Sequence, residues 1–317
     1  MLYSPVQPMH IPDGFLSTLV SIVLWVISAI SVAYALRRVG KDLGERQAPL
    51  MGVLAAAIFA GQMLNFTVAG GTSGHLLGAA IATILLGPWA AVIVMTTVVS
   101  VQALIFQDGG LLALGANLFN MAVVGVAVSY FVYTSIQKLA RGKSWGVFVV
   151  GALAAWFSIV IASLAAALEL ALSGTSPANI AVPAMGGIHM LIGVGEGLIT
   201  VGALTFLYAA RPDLLHIGEA APKGSAAVWT GGLVLAVILA VLSPLASAHP
   251  DGLEWVAEQQ GFLDTAQGPL YNVIPDYVFP GITNEAFATI VAGIVGVVIV
   301  FGVALGVAYV QRKRPTT

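Results

Sequence analysis

Residues Leu76–Phe106 read LLGAAIATILLGPWAAVIVMTTVVSVQALIF, a run of about thirty residues without one charge. A helix that crosses a bilayer needs roughly 20 apolar residues, so this run is too long for one upright span and short for two. Gly87-Pro88 lies near its middle, and a proline within a helix removes a main-chain hydrogen bond and clashes with the turn before it. Whether the chain crosses once here or turns back decides the topology on either side.

Two apolar runs precede this stretch, Phe15–Leu36 and Leu50–Phe66, and five follow it: Leu111–Ile136, Trp145–Leu172, Gly186–Ala209, Val228–Ala248 and Ala286–Tyr309. Basic residues cluster between some of them, at Arg37, Arg38, Lys41 and Arg46, at Lys138, Arg141 and Lys143, at Arg211 and Lys223, and at Arg312-Lys313-Arg314. Lys and Arg concentrate on the cytoplasmic side of membrane proteins. If Leu76–Phe106 crosses once, the Lys138–Lys143 loop falls opposite Arg37–Arg46. If the chain turns at Gly87-Pro88, all 12 Lys and Arg residues share one side. The second option predicts nine membrane segments with a short pair around Gly87-Pro88. It places the N-terminus outside and the C-terminus in the cytoplasm, in the cytoplasmic (inner) membrane.

Composition fits this class. Of 317 residues 59% are hydrophobic and 8% charged, against about 25% charged in soluble domains, and mean hydropathy is +0.97. The 36 glycines suit helices that approach closely within a bilayer. The absence of cysteine excludes disulfides, thiolate ligands and iron–sulfur clusters. No secretory signal precedes Phe15: residues 1–15 lack a basic start and a short apolar core. Gly52, Ala56 and Ala60 form a small-residue face that packs either internally or against a partner.

The chain divides near Arg211–Lys223. Residues 1–8 form an extension, 9–210 a seven-segment membrane bundle, 211–227 a cytoplasmic linker, and 228–317 a second part in which two helices flank an outer loop. That loop, His249–Glu285, carries Asp251, Glu254, Glu258, Asp264, Asp276 and Glu285 and no basic residue. It either concentrates cations or is a solvated surface. The expected fold class is all-α and integral to the membrane.

Two histidine-bearing segments fall on the outer face in this topology: Met9-His10-Ile11-Pro12-Asp13-Gly14-Phe15 and Gly70-Gly71-Thr72-Ser73-Gly74-His75. Imidazole suits nickel, copper, zinc and cobalt, and an all-nitrogen plane favours Ni(II) or Cu(II). A histidine second in a chain offers its ring nitrogen and its own backbone nitrogen, with the terminal amine beside them. A distant histidine then closes a four-nitrogen plane. This requires a free amine at Met9, which eight residues precede. Either the mature chain begins at Met9, or the Met9 amide substitutes at a cost in affinity. The alternative is a solvated His10 and a helix-end His75.

Other candidates are the intramembrane Glu169, His189 and Glu196, which make either an ion or proton path or a buried helix-joining pair. His216 and His249 are read as solvated loop or helix-end residues. Gly142-Lys143-Ser144 lacks the glycine a phosphate loop needs five places earlier, where Gln137 stands. Any ATP is therefore handled by another chain. No nucleophile–base constellation emerges, so no enzyme is expected.

Met9-His10-Ile11-Pro12-Asp13-Gly14-Phe15-Leu16, Gly71-Thr72-Ser73-Gly74-His75-Leu76-Leu77-Gly78, Gly87-Pro88-Trp89, and Gln107-Asp108-Gly109-Gly110 through Gly115-Ala116-Asn117 resemble the CbiM/NikM family. These are substrate-binding S components of cobalt and nickel energy-coupling factor transporters. The resemblance covers about residues 9–209. The final part, with Ser243-Pro244 and His249-Pro250-Asp251-Gly252-Leu253-Glu254, is similar to the PDGLE or CbiN/NikN-type accessory component, so the chain looks like a fusion of the two.

The resemblance implies an outer site for Ni(II) or Co(II) made by the Met9 amine, His10 through backbone and ring, and His75. Without the eight leading residues, His75 stands at the separation the family shows. Asp13, Gly71, Thr72, Ser73 and Gly74 are candidates to shape the surrounding loop, and His249, Asp251 and Glu254 are accessory candidates. The family further implies a membrane T component and two cytoplasmic ATPase subunits as partners; the lipid bilayer surrounds the chain, and no nucleic acid partner is expected.

Overall fold

The structure, a computed structural model, describes residues 10–39, 47–139, 144–210, 214–215 and 226–312. Met9, the extension 1–8, most of the linker 211–227, His216 and the basic residues Lys41, Arg46, Arg141, Lys143, Arg211, Lys223, Lys313 and Arg314 lie outside the described residues.

Helix α1 (Thr18–Val39) leads to α2 (Gln47–Gln62), then a hairpin of β1 (Phe66–Val68) and β2 (Thr72–Gly74), then α3 (Ala79–Leu86) and α4 (Pro88–Val101). A π-helical turn, Gln102–Phe106, extends α4. Next come α5 (Leu114–Leu118), a second π-helical segment (Phe119–Val124), α6 (Gly125–Leu139), α7 (Ser144–Leu172) and α8 (Ala178–Ala210). The C-terminal part holds α9 (Ala226–Leu242), α10 (Gly252–Gln260) and α11 (Glu285–Arg312). Among the described residues six helices are long and apolar enough to cross a membrane, while α2 and Trp229–Leu245 are shorter apolar helices. The chain is a multi-pass membrane protein.

Lipid contact is legible on α1, where Leu19, Ile22, Val26 and Ile30 recur every three or four residues and stay exposed. In water such a stripe is costly, whereas in hydrocarbon it is the required surface. Helix α2 is the opposite case: Ala55, Ala56, Phe59 and Ala60 are fully buried. Gly52 settles the small-residue face: a Cβ there would stand 3.1 Å from the Phe301 ring. That face packs internally, against α11.

Leu76–Phe106 turns. Gly87 separates α3 from α4 with φ 77° and ψ 170°, and Pro88 occupies the first turn of α4. An L-residue with a side chain resists that dihedral pair, and proline is tolerated at a helix start because its missing N–H has no partner there. The eight residues of α3 rise only about 12 Å. His75, before α3, and Asp108, after α4, both contact the same residue, His10. The run therefore enters and comes back to its starting level.

The hairpin was not expected. Phe66, Thr67 and Val68 pair antiparallel with Gly74, Ser73 and Thr72 around Gly70-Gly71, within a glycine-rich segment read from sequence as loop. The His10–Gly14 segment, the hairpin, Gln107–Gly110, the α7–α8 connection and the 243–284 loop all meet at one end of the bundle. Thr175 donates a 2.5 Å hydrogen bond to the Phe15 carbonyl, and Ser73 Oγ donates to the His249 carbonyl at 2.8 Å. At the other end, Arg37, Arg38, Lys138 and Arg312 stand in the last turns of α1, α6 and α11.

Candidate metal site

Main-chain hydrogen bonds build the site. Asn117, on α5, accepts from the Ile11 N–H at 3.0 Å and donates to the Ile11 carbonyl at 3.1 Å, so one amide side chain grips the residue after His10 from both sides. The Asp13 carboxylate accepts the N–H groups of Leu111 (3.1 Å) and Ala113 (2.9 Å), in the turn that leads into α5. An acid at a helix start is favoured by the helix dipole and by its unpaired N–H groups. The approach is so close that a Cβ at Gly110 would lie 2.0 Å from Asp13 Oδ1. Asp13 thus holds the loop in place.

His10 is buried, and its ring lies edge-on to His75 with centroids 5.8 Å apart and planes at 78°. Its Nδ1 stands 3.1 Å from Asp108 Oδ1, and its main-chain N–H donates to the same oxygen at 3.2 Å. Its Nε2 is buried with no hydrogen-bond partner among the described residues. Burial alone lowers the His10 pKa, but the neighbouring Asp108 charge and its hydrogen bonds outweigh this and hold it above the ordinary imidazole value. His75, half-buried, directs Nδ1 at the Leu76 carbonyl 3.1 Å away.

Both rings face a cavity of about 90 Å³ that is also lined by Asn117, Asn120, His189 and Asp251. His189 Nδ1 is engaged by the Met185 carbonyl at 2.8 Å. Asp251 reaches the cavity from the C-terminal part and also caps α10, accepting the Glu254 N–H at 2.7 Å. Burial pushes Asp251 up to about 7. Among the described residues no three His, Cys, Asp or Glu side chains gather closely enough to hold an ion by themselves. Two imidazoles, those of His10 and His75, are brought together.

The remaining candidates separate. Thr72 and Ser73 are buried and tie the hairpin to the carbonyls of His249 and Pro250, while Gly71 lies in its turn. Glu254 stands in the first turn of α10 and does not line the cavity, and His249 meets the hairpin through its carbonyl. Glu196 accepts the N–H groups of Leu77 (2.7 Å) and Gly78 (3.0 Å), and Glu169 accepts from Asn120 Nδ2 at 2.8 Å. These bonds join Glu169, His189 and Glu196 to different partners, not to one another.

Asp108 and Tyr277 also meet at this site, and the sequence singled out neither of them. Asp108 was visible only within the Gln107–Gly110 motif, with no role attached. Tyr277 donates to Asp108 Oδ2 at 2.5 Å across 169 positions, which no local signal reports.

This architecture, with a membrane bundle that gathers two histidine loops at one end, carries a family signature. Residues 10–214 match the cobalt uptake substrate-specific transmembrane region family, CbiM, and the chain belongs to it. Residues 226–313 match the PDGLE domain. The chain is 40% identical over 317 residues to a putative fused nickel transport protein, NikMN, of Archaeoglobus fulgidus, covering 96% of this chain and 99% of that one. It is 35% identical over 266 residues to the fused nickel transport protein NikMN of Rhodobacter capsulatus, covering 79% of this chain and 76% of that one. A crystal structure of a truncated transition metal transporter superposes with a TM-score of 0.57 at 34% identity, covering 64% of this chain and 99% of that one.

Proposed function

We propose that this chain captures Ni(II) or Co(II) at the outer face of the cytoplasmic membrane as the substrate-binding subunit of an ATP-driven uptake system. The observation that carries this reading is the meeting of His10 and His75, 65 positions apart, with ring centroids at 5.8 Å beside a cavity that both residues line. The ligand set is His10 through ring and main-chain nitrogen, His75 through the ring, and Met9 through its nitrogen. Residues 9–210 are the metal-binding domain and 228–317 the accessory domain. A membrane T component and two cytoplasmic ATPases supply the driving force, as the family implies.

The placement of Arg37, Arg38, Lys138 and Arg312 at the end away from the histidines supports an outward-facing site. The rival reading, a stand-alone carrier with an intramembrane Glu/His path, gains nothing from the geometry, since Glu169 and Glu196 are each engaged in separate structural bonds.

The test is calorimetric titration of the purified chain with Ni(II) and Co(II), with its N-terminal residue sequenced in the same sample. Saturable binding of one ion per chain supports the reading, and no binding of either ion refutes it. Sequencing distinguishes an amine from an amide at Met9. Uptake into vesicles by this chain without ATPases would favour the rival.

Binding should weaken as pH falls. Imidazole ligands must lose their protons to bind, and Asp108 holds His10 above its ordinary value of 6.5. Affinity should therefore begin to drop at a higher pH than for an unperturbed imidazole, by about tenfold per pH unit per proton. Titrations at several pH values between about 8 and 6 measure this. A flat profile would show that no imidazole binds the ion.

A further inference from the structure

We infer that Tyr277, in the outer loop of the C-terminal domain, controls metal loading by anchoring Asp108 in the place an ion takes on His10. The inference rests on the metal-site reading above and extends it to a residue of the second domain.

A histidine can grip one ion through its ring and its own backbone only by using Nδ1, because Nε2 lies across the ring from the backbone nitrogen. In this structure those two atoms face a single oxygen: Asp108 Oδ1 lies 3.1 Å from Nδ1 and 3.2 Å from the main-chain nitrogen. An ion held by both atoms and this carboxylate oxygen cannot share that position. Chelation by His10 through Nδ1 and its amide therefore requires Asp108 to swing aside, with the amide proton leaving to solvent.

The other oxygen of Asp108 is held from the C-terminal domain. Tyr277 donates its hydroxyl to Oδ2, is fully buried, and stacks on Phe106 with centroids 4.8 Å apart and planes at 14°. Phe106 lies two residues before Asp108, so Tyr277 grips one segment by ring and hydroxyl together. Asp276 and Tyr277 both adopt left-handed backbone conformations, with φ 53° and 57°. Residues with side chains hold that conformation where the surroundings over-determine it, and such positions cluster at clamps and switches. Neighbouring bonds run the same way, with Val273 N–H to Gln107 Oε1 at 3.2 Å and Ile274 N–H to the Ile105 carbonyl at 3.0 Å. The loop of the accessory domain clasps the strand of chain that presents Asp108 to His10.

The clasp is tested by Ni(II) loading of the full chain, followed by stopped-flow absorbance and calorimetry, in wild type, Tyr277→Phe, Asp108→Asn and the double variant. Phenylalanine keeps the stacking and removes only the hydroxyl. A hydrogen bond to a carboxylate carries enough free energy that its loss should speed loading and tighten binding by about tenfold to a hundredfold. Asp108→Asn, a weaker competitor for the His10 nitrogens, should do the same, and the double variant should gain no more than either single one. Tyr271→Phe is the control, since its hydroxyl in the same loop serves the Leu104 carbonyl at 2.9 Å and not Asp108. It should load like wild type.

Weaker binding in Tyr277→Phe would show that Asp108 supports the ion instead of blocking it, and overturns the inference. Unchanged loading in both Tyr277→Phe and Asp108→Asn overturns it as well, as do additive effects in the double variant. If wild type itself binds neither Ni(II) nor Co(II), the metal-site reading fails and this inference with it. If wild type binds and the variants match it, this inference alone fails.

Discussion

His75→Ala should reduce Ni(II) affinity by more than about 100-fold while leaving the fold in place. Four-ligand structural zinc sites bind with about 10–16 kcal/mol, and on that scale one ligand of four carries roughly 3 kcal/mol, or two orders of magnitude in affinity. The fold should tolerate the change: His75 is half-buried, and its ring is engaged with the carbonyl of the adjacent Leu76. Calorimetry measures the affinity, and thermal unfolding in detergent should shift by no more than a surface substitution does, about 0.5 kcal/mol. His10→Ala should abolish binding as well, but with a stability cost, because His10 is buried against Asp108. Equal stoichiometry and affinity in His75→Ala would remove the second imidazole from the site and end the metal-capture reading.

Glu196→Ala should be the most damaging substitution outside the histidine loops. Its fully buried carboxylate on α8 accepts the N–H groups of Leu77 and Gly78, at the N-terminus of α3 and two and three residues beyond His75. Truncation leaves both donors buried without an acceptor, at about 1–3 kcal/mol each, together with a void where the side chain stood. The expected loss is about 3–5 kcal/mol of stability, accompanied by weaker Ni(II) binding as the His75 segment loosens. Glu196→Gln keeps one acceptor oxygen and should lose less than half as much. Unfolding measurements on the two variants decide the point. A Glu196→Ala chain as stable as wild type, yet unable to move ions, would restore Glu196 to an ion path.

These roles divide along a physical line. The helices came from hydropathy, because a bilayer demands about 20 apolar residues wherever it is crossed, and that demand is local. The turn at Gly87-Pro88 was legible for two local reasons, a dihedral pair suited to glycine and a proline at a helix start, together with the sidedness of Lys and Arg. His10 and His75 were legible as candidates because proline and glycines mark the loops that carry them, and the family pattern repeats those loops. The β1–β2 hairpin was not, since three-residue strands show no usable alternation.

Glu196 illustrates the remaining difficulty. Its place inside a membrane segment suggested an ion path or a buried helix-joining pair, but its acceptors serve main-chain donors 118 and 119 positions away. Asp108 and Tyr277 are separated by 169 positions, and neither carries a signal until packing joins them.

By itself the amino-acid order determined the membrane class, the apolar segments, the turn at Gly87-Pro88 and the two histidine loops, since each follows from chain chemistry acting over a few turns of helix. Only the tertiary structure decided that His10 meets His75 and that Asp108 faces the two His10 nitrogens. It alone showed that a tyrosine of the second domain holds that aspartate. Those contacts depend on side-chain packing between segments far apart in the chain, where local propensity has no reach.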